Sequence, residues 1–221
     1  MKIAIDGPSG AGKSTAAKLM AKELGITYID TGAMYRAVAL KAIRAGKDPG
    51  SEEDAIEVLK GLDLKIFYEN GDQLVFLDGE NVTDKIRTPE VSKGASDISA
   101  FKDIRLKLVE IQRGMASEFD VIMDGRDIGT FVFPDAEFKF YLTADEEERA
   151  RRRYEELKVK DSQLTFEKCL EDLRYRDVND SKRAFAPLKK ADDAVLVDST
   201  HMFPDEVVKT MTDMIKAEGS R

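Results

Sequence analysis

Lys2-Ile3-Ala4-Ile5-Asp6-Gly7-Pro8-Ser9-Gly10-Ala11-Gly12-Lys13-Ser14-Thr15 opens the chain and decides how the rest is read. The run Lys2–Asp6 alternates branched apolar residues and predicts a β-strand. It breaks into a glycine-rich turn, after which residues 15–24 read as a helix. Glycine at 7 and 12 with Lys13 and Ser14 matches G-x-x-x-x-G-K-[ST], the phosphate-binding loop, in its strand–loop–helix context. Gly7, Gly10 and Gly12 let backbone N–H groups turn inward around a polyphosphate. The positive N-terminal end of the following helix faces the same anion. Lys13 suits the β- and γ-phosphates, and the Ser14 hydroxyl suits Mg²⁺. Residues Gly7, Pro8, Ser9, Gly10, Ala11, Gly12, Lys13, Ser14 and Thr15 are therefore the predicted nucleoside triphosphate site.

Composition bounds what such a site serves. At 221 residues, 42% hydrophobic and 35% charged, the chain is long enough for one α/β core with a small inserted subdomain. No apolar run approaches the roughly 20 residues that span a bilayer, so no membrane partner is expected. The opening residues enter a strand directly, without the charged and apolar regions of a secretory leader. Cys169 is the single cysteine, which rules out an internal disulfide framework and fits a reducing cytoplasm. It falls in a predicted helix and reads as a bland, buried thiol. The net charge of −8 argues against a nucleic-acid polymer as partner, although positive charge gathers at Arg149, Arg151, Arg152 and Arg153. His201 is the one histidine, so neither a Ser-His-Asp relay nor a histidine metal site is expected. The sequence predicts a cytoplasmic monomer acting on small molecules without a histidine base.

Past the first helix, residues 26–30 read as a second strand, and a helix follows from Thr31 to about Ala45 with Thr31 as its cap. Ser51 and Asp54 stand as a capping box for a short helix to about Lys60. The period then changes. Residues 62–66 alternate, Asn70-Gly71 supplies a tight turn, and residues 73–77 pair back; residues 81–83 offer a third strand. This predicts an antiparallel subdomain inserted over residues 60–90, the competing reading being a hairpin that extends the main sheet. A helical region over 89–118, broken near 100–102, precedes a buried-type strand at 120–124. Another strand spans 137–142, a charged helix 145–158, a loop 160–162 and a helix 165–180. A strand at 195–198 and a helix at 203–216 close the chain. Five strands alternating with helices imply a three-layer α/β fold with a mainly parallel five-stranded sheet and helices on both faces. Ligands in such folds collect at the carboxyl ends of the strands, where Asp30, Asp124 and Leu142 fall.

A phosphate-binding loop alone fits a GTPase, a motor or a small-molecule kinase. No Asn-Lys-x-Asp segment for reading guanine is present, and motors acting on polymers are usually longer. Arg36, Arg126 and Arg183 lie at predicted loop and strand ends, and a planar guanidinium fork binds two phosphate oxygens at once. Together they point to an acceptor that is already phosphorylated. Arg176, Asp180 and Arg183 are spaced i, i+4, i+7, a spacing that serves either an intrahelical ion pair or a row of ligand-reading groups.

The segments 7–14, 30–36, 86–88, 124–130 (Asp-Gly-Arg-Asp-Ile-Gly-Thr), 133–136 and 183–188 (Arg-Ala-Phe-Ala-Pro-Leu) together resemble the bacterial cytidylate kinases, over residues 3 to about 200. Ser14 stands where that family often has glycine and Thr31 where it often has serine, both departures keeping or adding a hydroxyl. The resemblance implies a phosphate-binding-loop kinase fold with a helical lid over residues 145–165 and an NMP-binding insert. It implies transfer of the ATP γ-phosphate to CMP, and to dCMP. It assigns base reading to Ser96, Arg105 and Asp127, the CMP phosphate to Arg36, Arg126 and Arg183, and the ribose to Arg176 and Asp180. Thr31 and Tyr35 would line the same pocket.

A phosphate monoester is largely dianionic at neutral pH, its second pKa being about 6, so the acceptor needs no general base. Catalysis then reduces to positioning and charge neutralisation by the loop, Lys13, Arg126 and Mg²⁺. Asp124 is a candidate for holding the metal's hydration shell or for orienting its loop. Arg149, Arg152 and Arg153 are expected to cover ATP as a lid; the competing reading is a solvated face paired with Glu146, Glu147 and Glu148. Kinases of UMP, GMP or shikimate are the nearest alternatives, and a nucleotide-dependent switch is the out-of-class one.

Overall fold

The computed structural model describes residues 1–69, 71–117, 119–159 and 163–219. The central strand, β1 (Lys2–Asp6), lies at the middle of a five-stranded sheet. β2 (Thr27–Asp30), β6 (Val121–Gly125), β7 (Phe138–Thr143) and β8 (Val195–Asp198) complete it in the order β2-β6-β1-β7-β8, every pair parallel. The alternation of β1 decides the layers. Ile3 and Ile5 pack on one face with Ala17 and Met20 of α1 (Lys13–Leu24) and Val207 and Met211 of α8 (Pro204–Gly219). Ala4 faces the other side, with Met123, Ile29, Val109 and Ile128.

A separate antiparallel sheet holds β3 (Leu64–Glu69), β4 (Asp72–Leu77) and β5 (Glu80–Asn81), in that order. It therefore does not extend the main sheet. Leu64, Val75 and Leu77 enter one apolar cluster with Met34 and Val38 of α2 (Thr31–Arg44), Ile98 of α4 (Pro89–Ile98) and Ile104 of α5 (Lys102–Met115). The predicted Asn70-Gly71 turn is described only from Gly71, Asn70 lying outside the described residues, as do Glu118 and the loop 160–162.

Two predicted caps resolve differently. α2 is capped by Asp30, whose side chain accepts from the Ala33 N–H, and not by Thr31. Thr31 instead donates its hydroxyl to the Asp124 carbonyl at 2.7 Å, tying β2 to β6. Ser51 caps α3 (Glu52–Leu59) by accepting from the Asp54 N–H, but Asp54 accepts from the Asp48 N–H and so forms only half a capping box. α6 (Glu146–Leu157) and α7 (Phe166–Lys182) lean on each other beside the carboxyl ends of the strands.

Candidate active site

A cavity of about 900 Å³ opens at the carboxyl ends of β1, β2 and β6. Residues 9–15 of the glycine-rich loop form one wall. Gly7, at φ +148°, passes so near β7 that a Cβ there would lie 2.0 Å from the Leu142 carbonyl oxygen, so only glycine fits. Lys13 is buried and donates to the Pro8 carbonyl at 2.7 Å, inside its own loop. Burial and the nearby Arg126 charge lower the Lys13 ammonium from 10.5 to about 7, partly opposed by Asp124 and Asp180. Ser14 and Thr15 open onto the cavity from the first turn of α1.

The loop is held from behind by residues distant in sequence. Asp177 on α7 accepts from the Ser9 N–H at 3.2 Å, and Arg149 on α6 donates to the Ser9 carbonyl at 2.9 Å. Arg149 and Asp177 pair at 2.5 Å, and Arg149 Nε donates to the Ala144 carbonyl at 2.9 Å. Arg149, expected to cover ATP, here sits behind the loop and is absent from the cavity lining. A buried guanidinium needs several acceptors, and Ser9, Ala144 and Asp177 supply them behind the loop. Arg152 and Arg153 do line the cavity. Arg152 donates to the Ser199 hydroxyl and carbonyl at 3.0 and 2.6 Å, and Ser199 donates to the Ala11 carbonyl at 3.2 Å. Arg153 pairs with Glu156 at 2.7 Å.

The opposite wall is a network of buried charges. Asp127, just past β6, accepts from Arg105 of α5 and stands 3.4 Å from Arg183, the residue that ends α7. Arg105 also donates to the Ser99 carbonyl at 3.1 Å and lies 5.4 Å from the Tyr35 ring centre. Arg183 Nε donates to the carbonyl of Ala186, whose φ of +45° is unusual for a residue with a side chain. The strained turn aims that carbonyl and so sets the guanidinium. Arg126 donates to Asp180 at 2.6 Å. Burial raises the Asp180 carboxyl, but Arg126, Arg183 and Arg176 outweigh it and hold the group below its usual range. Ser96 on α4 faces the same space and lies 3.5 Å from Asn179.

Arg176 lines the cavity with a buried Nε that has no hydrogen-bond partner. Burial, then the Arg126 charge, lower it to about 10. Such a group is a donor awaiting an acceptor. Within the 176–180–183 row, Asp180 pairs with Arg126 at 2.6 Å and lies 3.7 Å from Arg183, while the Arg176 Nε stays without a partner. Arg36 pairs with Asp30 at 2.8 Å, and Arg87, which sequence reasoning left without a role, lies 4.0 Å from the same carboxylate.

Asp124 accepts from the Tyr28 hydroxyl at 2.7 Å. Burial and the neighbouring Asp30 charge raise it to about 6, against the pull of Lys13. No cluster of three or more His, Cys, Asp or Glu side chains suited to a metal occurs among the described residues. Ser14 and Asp124 on one cavity still fit Mg²⁺, which keeps most of its waters and takes further oxygens from substrate phosphates.

Asp6 joins the two walls. It is the last residue of β1 before Gly7, and its carboxylate oxygens accept from the Ile128 and Gly129 N–H groups at 2.8 and 2.7 Å. Those amides follow Asp127 directly, in a single π-helical turn, Ile128–Val132. Asp6, Asp177 and Ser199 carry no motif of their own in the sequence; each acts on a loop far away along the chain.

The chain matches the family model described as "Cytidylate kinase" over residues 3–217. It is 51% identical to a cytidylate kinase of Caldicellulosiruptor saccharolyticus across 97% of this chain and 95% of that protein. It is 47% identical to a cytidylate kinase of Clostridioides difficile across 96% and 97%. Among solved structures, an uncharacterized protein from Eubacterium ventriosum superposes with a TM-score of 0.51 at 15% identity, covering 100% of this chain and 99% of that one, a likeness of fold.

Proposed function

The chain belongs to the cytidylate kinase family and transfers phosphate from ATP to CMP, and on that premise we propose how the two walls of the cavity divide the reaction. The glycine-rich loop takes the ATP phosphates; the network around Asp127 takes CMP. The observation that carries this reading is that one cavity is lined both by residues 9–15 and by Arg105, Arg126, Asp127 and Arg183.

Cytosine offers an N4 amine donor beside acceptors at N3 and O2. Asp127 is the acceptor for that amine, and Arg105 and Ser96 serve the other edge. Arg36, Arg126 and Arg183 take the CMP phosphate, with Thr31 and Tyr35 walling the pocket. Arg176 and Asp180 read the ribose, and dCMP is accepted as well. The nucleophile is a phosphate oxygen of CMP, already charged, so the protein moves no proton to activate it. Lys13 leaves the Pro8 carbonyl for the β- and γ-phosphates, because a charged acceptor is the stronger partner for an ammonium. Arg126 neutralises charge as it develops between the two substrates.

Ser14 and Asp124 would hold Mg²⁺, which supplies charge neutralisation on the transferring group. Helix α6 and the segment to residue 165 act as the lid, contributing Arg152 and Arg153 to exclude water, while Arg149 keeps the loop in shape. Residues 60–90 act as the NMP-binding insert of a single domain over 1–221. The enzyme works as a cytoplasmic monomer. ADP formation followed with and without CMP, dCMP, UMP and AMP tests the assignment. A burst that depends on CMP and fails with UMP is expected. Equal turnover of UMP would remove Asp127 as the base reader.

A further inference from the structure

Asp30 is the junction between the cavity and the three-stranded insert. Its carboxylate caps α2 through the Ala33 N–H at 2.9 Å and pairs with Arg36 at 2.8 Å, with Arg87 at 4.0 Å. Burial raises this carboxyl, and Arg36, the Ala33 N–H and Arg87 outweigh burial, so it stays ionised. Its backbone is equally committed. β2 is an edge strand, pairing only with β6, so alternate residues turn their N–H and C=O toward the open side. At Asp30 that open side is filled by one side chain from the insert. The Asp30 N–H donates to Gln73 Oε1 at 2.8 Å, and Gln73 Nε2 donates to the Asp30 carbonyl at 3.1 Å.

The primary amide of Gln73 thus imitates one residue of an added strand, offering a donor and an acceptor side by side to the edge. Gln73 sits on β4, next to Asp72, whose pairing with Lys18 of α1 at 2.5 Å is exposed on both sides. An exposed ion pair adds little to position. The paired, half-buried amide is the contact with directional geometry.

We propose that Gln73 is a positioning residue for the acceptor. By holding both backbone groups of Asp30 it fixes the carboxylate that orients Arg36 and Arg87, so the seat of the insert and the aim of the acceptor-phosphate arginines are set together. This rests on the reading of Arg36 as a ligand of the CMP phosphate. Gln73 touches no substrate; it acts through Asp30.

The test is steady-state kinetics of Gln73→Ala, Gln73→Glu, Arg36→Ala and the double variant with Arg36→Ala, alongside thermal unfolding. Gln73→Ala is expected to raise the KM for CMP about tenfold with kcat within about threefold and the KM for ATP within about twofold. Gln73→Glu keeps the contact to the Asp30 N–H but turns a charged acceptor oxygen toward the Asp30 carbonyl, so its KM for CMP should rise at least as far as that of Gln73→Ala. In the Arg36→Ala background the Gln73→Ala effect should largely vanish, as expected of two residues acting through one route. An unchanged KM for CMP in Gln73→Ala overturns the proposal. So does a KM rise for both substrates in step with a lowered Tm, which marks a merely structural role, and so do additive effects in the double variant. If Arg36→Ala itself leaves the KM for CMP unchanged, the assignment of Arg36 to the phosphate fails and the coupling fails with it. If Arg36→Ala raises that KM while Gln73→Ala does not, only the coupling fails.

Discussion

The proposed donor wall is a continuous run of backbone, residues 9–15, whereas the proposed acceptor wall is assembled from Tyr35 on α2, Ser96 on α4, Arg105 on α5, Asp127 after β6 and Arg183 at the end of α7. In that reading the first would bind through main-chain N–H groups in a glycine-rich strand-to-helix turn. The second would bind through side chains whose direction is set by one another: Arg105 and Arg183 on Asp127, Arg126 on Asp180, Arg36 on Asp30. A network of buried charges tolerates little change, because removing one partner leaves the other desolvated and unpaired.

That contrast can be broken from either side. The largest effect is expected on the donor wall, at Lys13. Lys13→Ala should lower kcat by about 10³-fold, since it removes charge neutralisation at the transferring group. Near-normal turnover would sink the donor assignment. Asp127→Ala comes next and should differ in kind. It should reduce kcat/KM for CMP about 100-fold, relax discrimination against UMP, and lower Tm by several degrees by exposing Arg105 and Arg183 to each other. The KM for ATP should stay within about twofold. If activity fell with Tm untouched, the acceptor wall would not be the interdependent network described.

Asp6→Asn probes the joint between the walls. Asparagine keeps the shape but turns a donor toward one of the two amides, Ile128 or Gly129, that Asp6 now satisfies. A fall in kcat of about tenfold is expected, with both KM values moving, because donor and acceptor loops lose a shared anchor. Movement of one KM alone would place Asp6 on one wall only.

The smallest effect is a proton count. Burial and Arg126 lower Lys13 to about 7 in the free enzyme, so at pH 8 most of the population is neutral. The negative charges of a bound triphosphate favour the ammonium and raise that pKa, so binding takes a proton up. The uptake should approach about one proton at pH 8 and fade below about pH 6, where Lys13 is charged beforehand. Calorimetric titration with ATP in buffers of different ionisation enthalpy reads this directly, and Lys13→Met should abolish it. Heats that do not depend on the buffer would refute it.

Legibility followed the same division. The loop is readable because strand, glycines, lysine and helix are consecutive. The alternation of residues 2–6 and 62–66 and the apolar runs at 73–77 and 120–124 announce strands, though only pairing shows that the insert makes its own sheet. The spacing of Arg149 with Arg152 and Arg153 describes one helix and is silent about Ser9 and Asp177, to which Arg149 donates. Thr31 lost the cap to Asp30 because its hydroxyl finds the Asp124 carbonyl across the sheet.

What the sequence by itself determined is what is short-ranged: the phosphate-loop motif at residues 7–15, the alternation of strands and helices, and arginines fit for phosphate. The tertiary structure decided which charges meet. Arg126 with Asp180, Arg105 with Asp127 and Gln73 with Asp30 are separated by 54, 22 and 43 positions. Hydrogen bonds and ion pairs depend on a few ångströms and a few tens of degrees, and those are fixed only when distant elements pack.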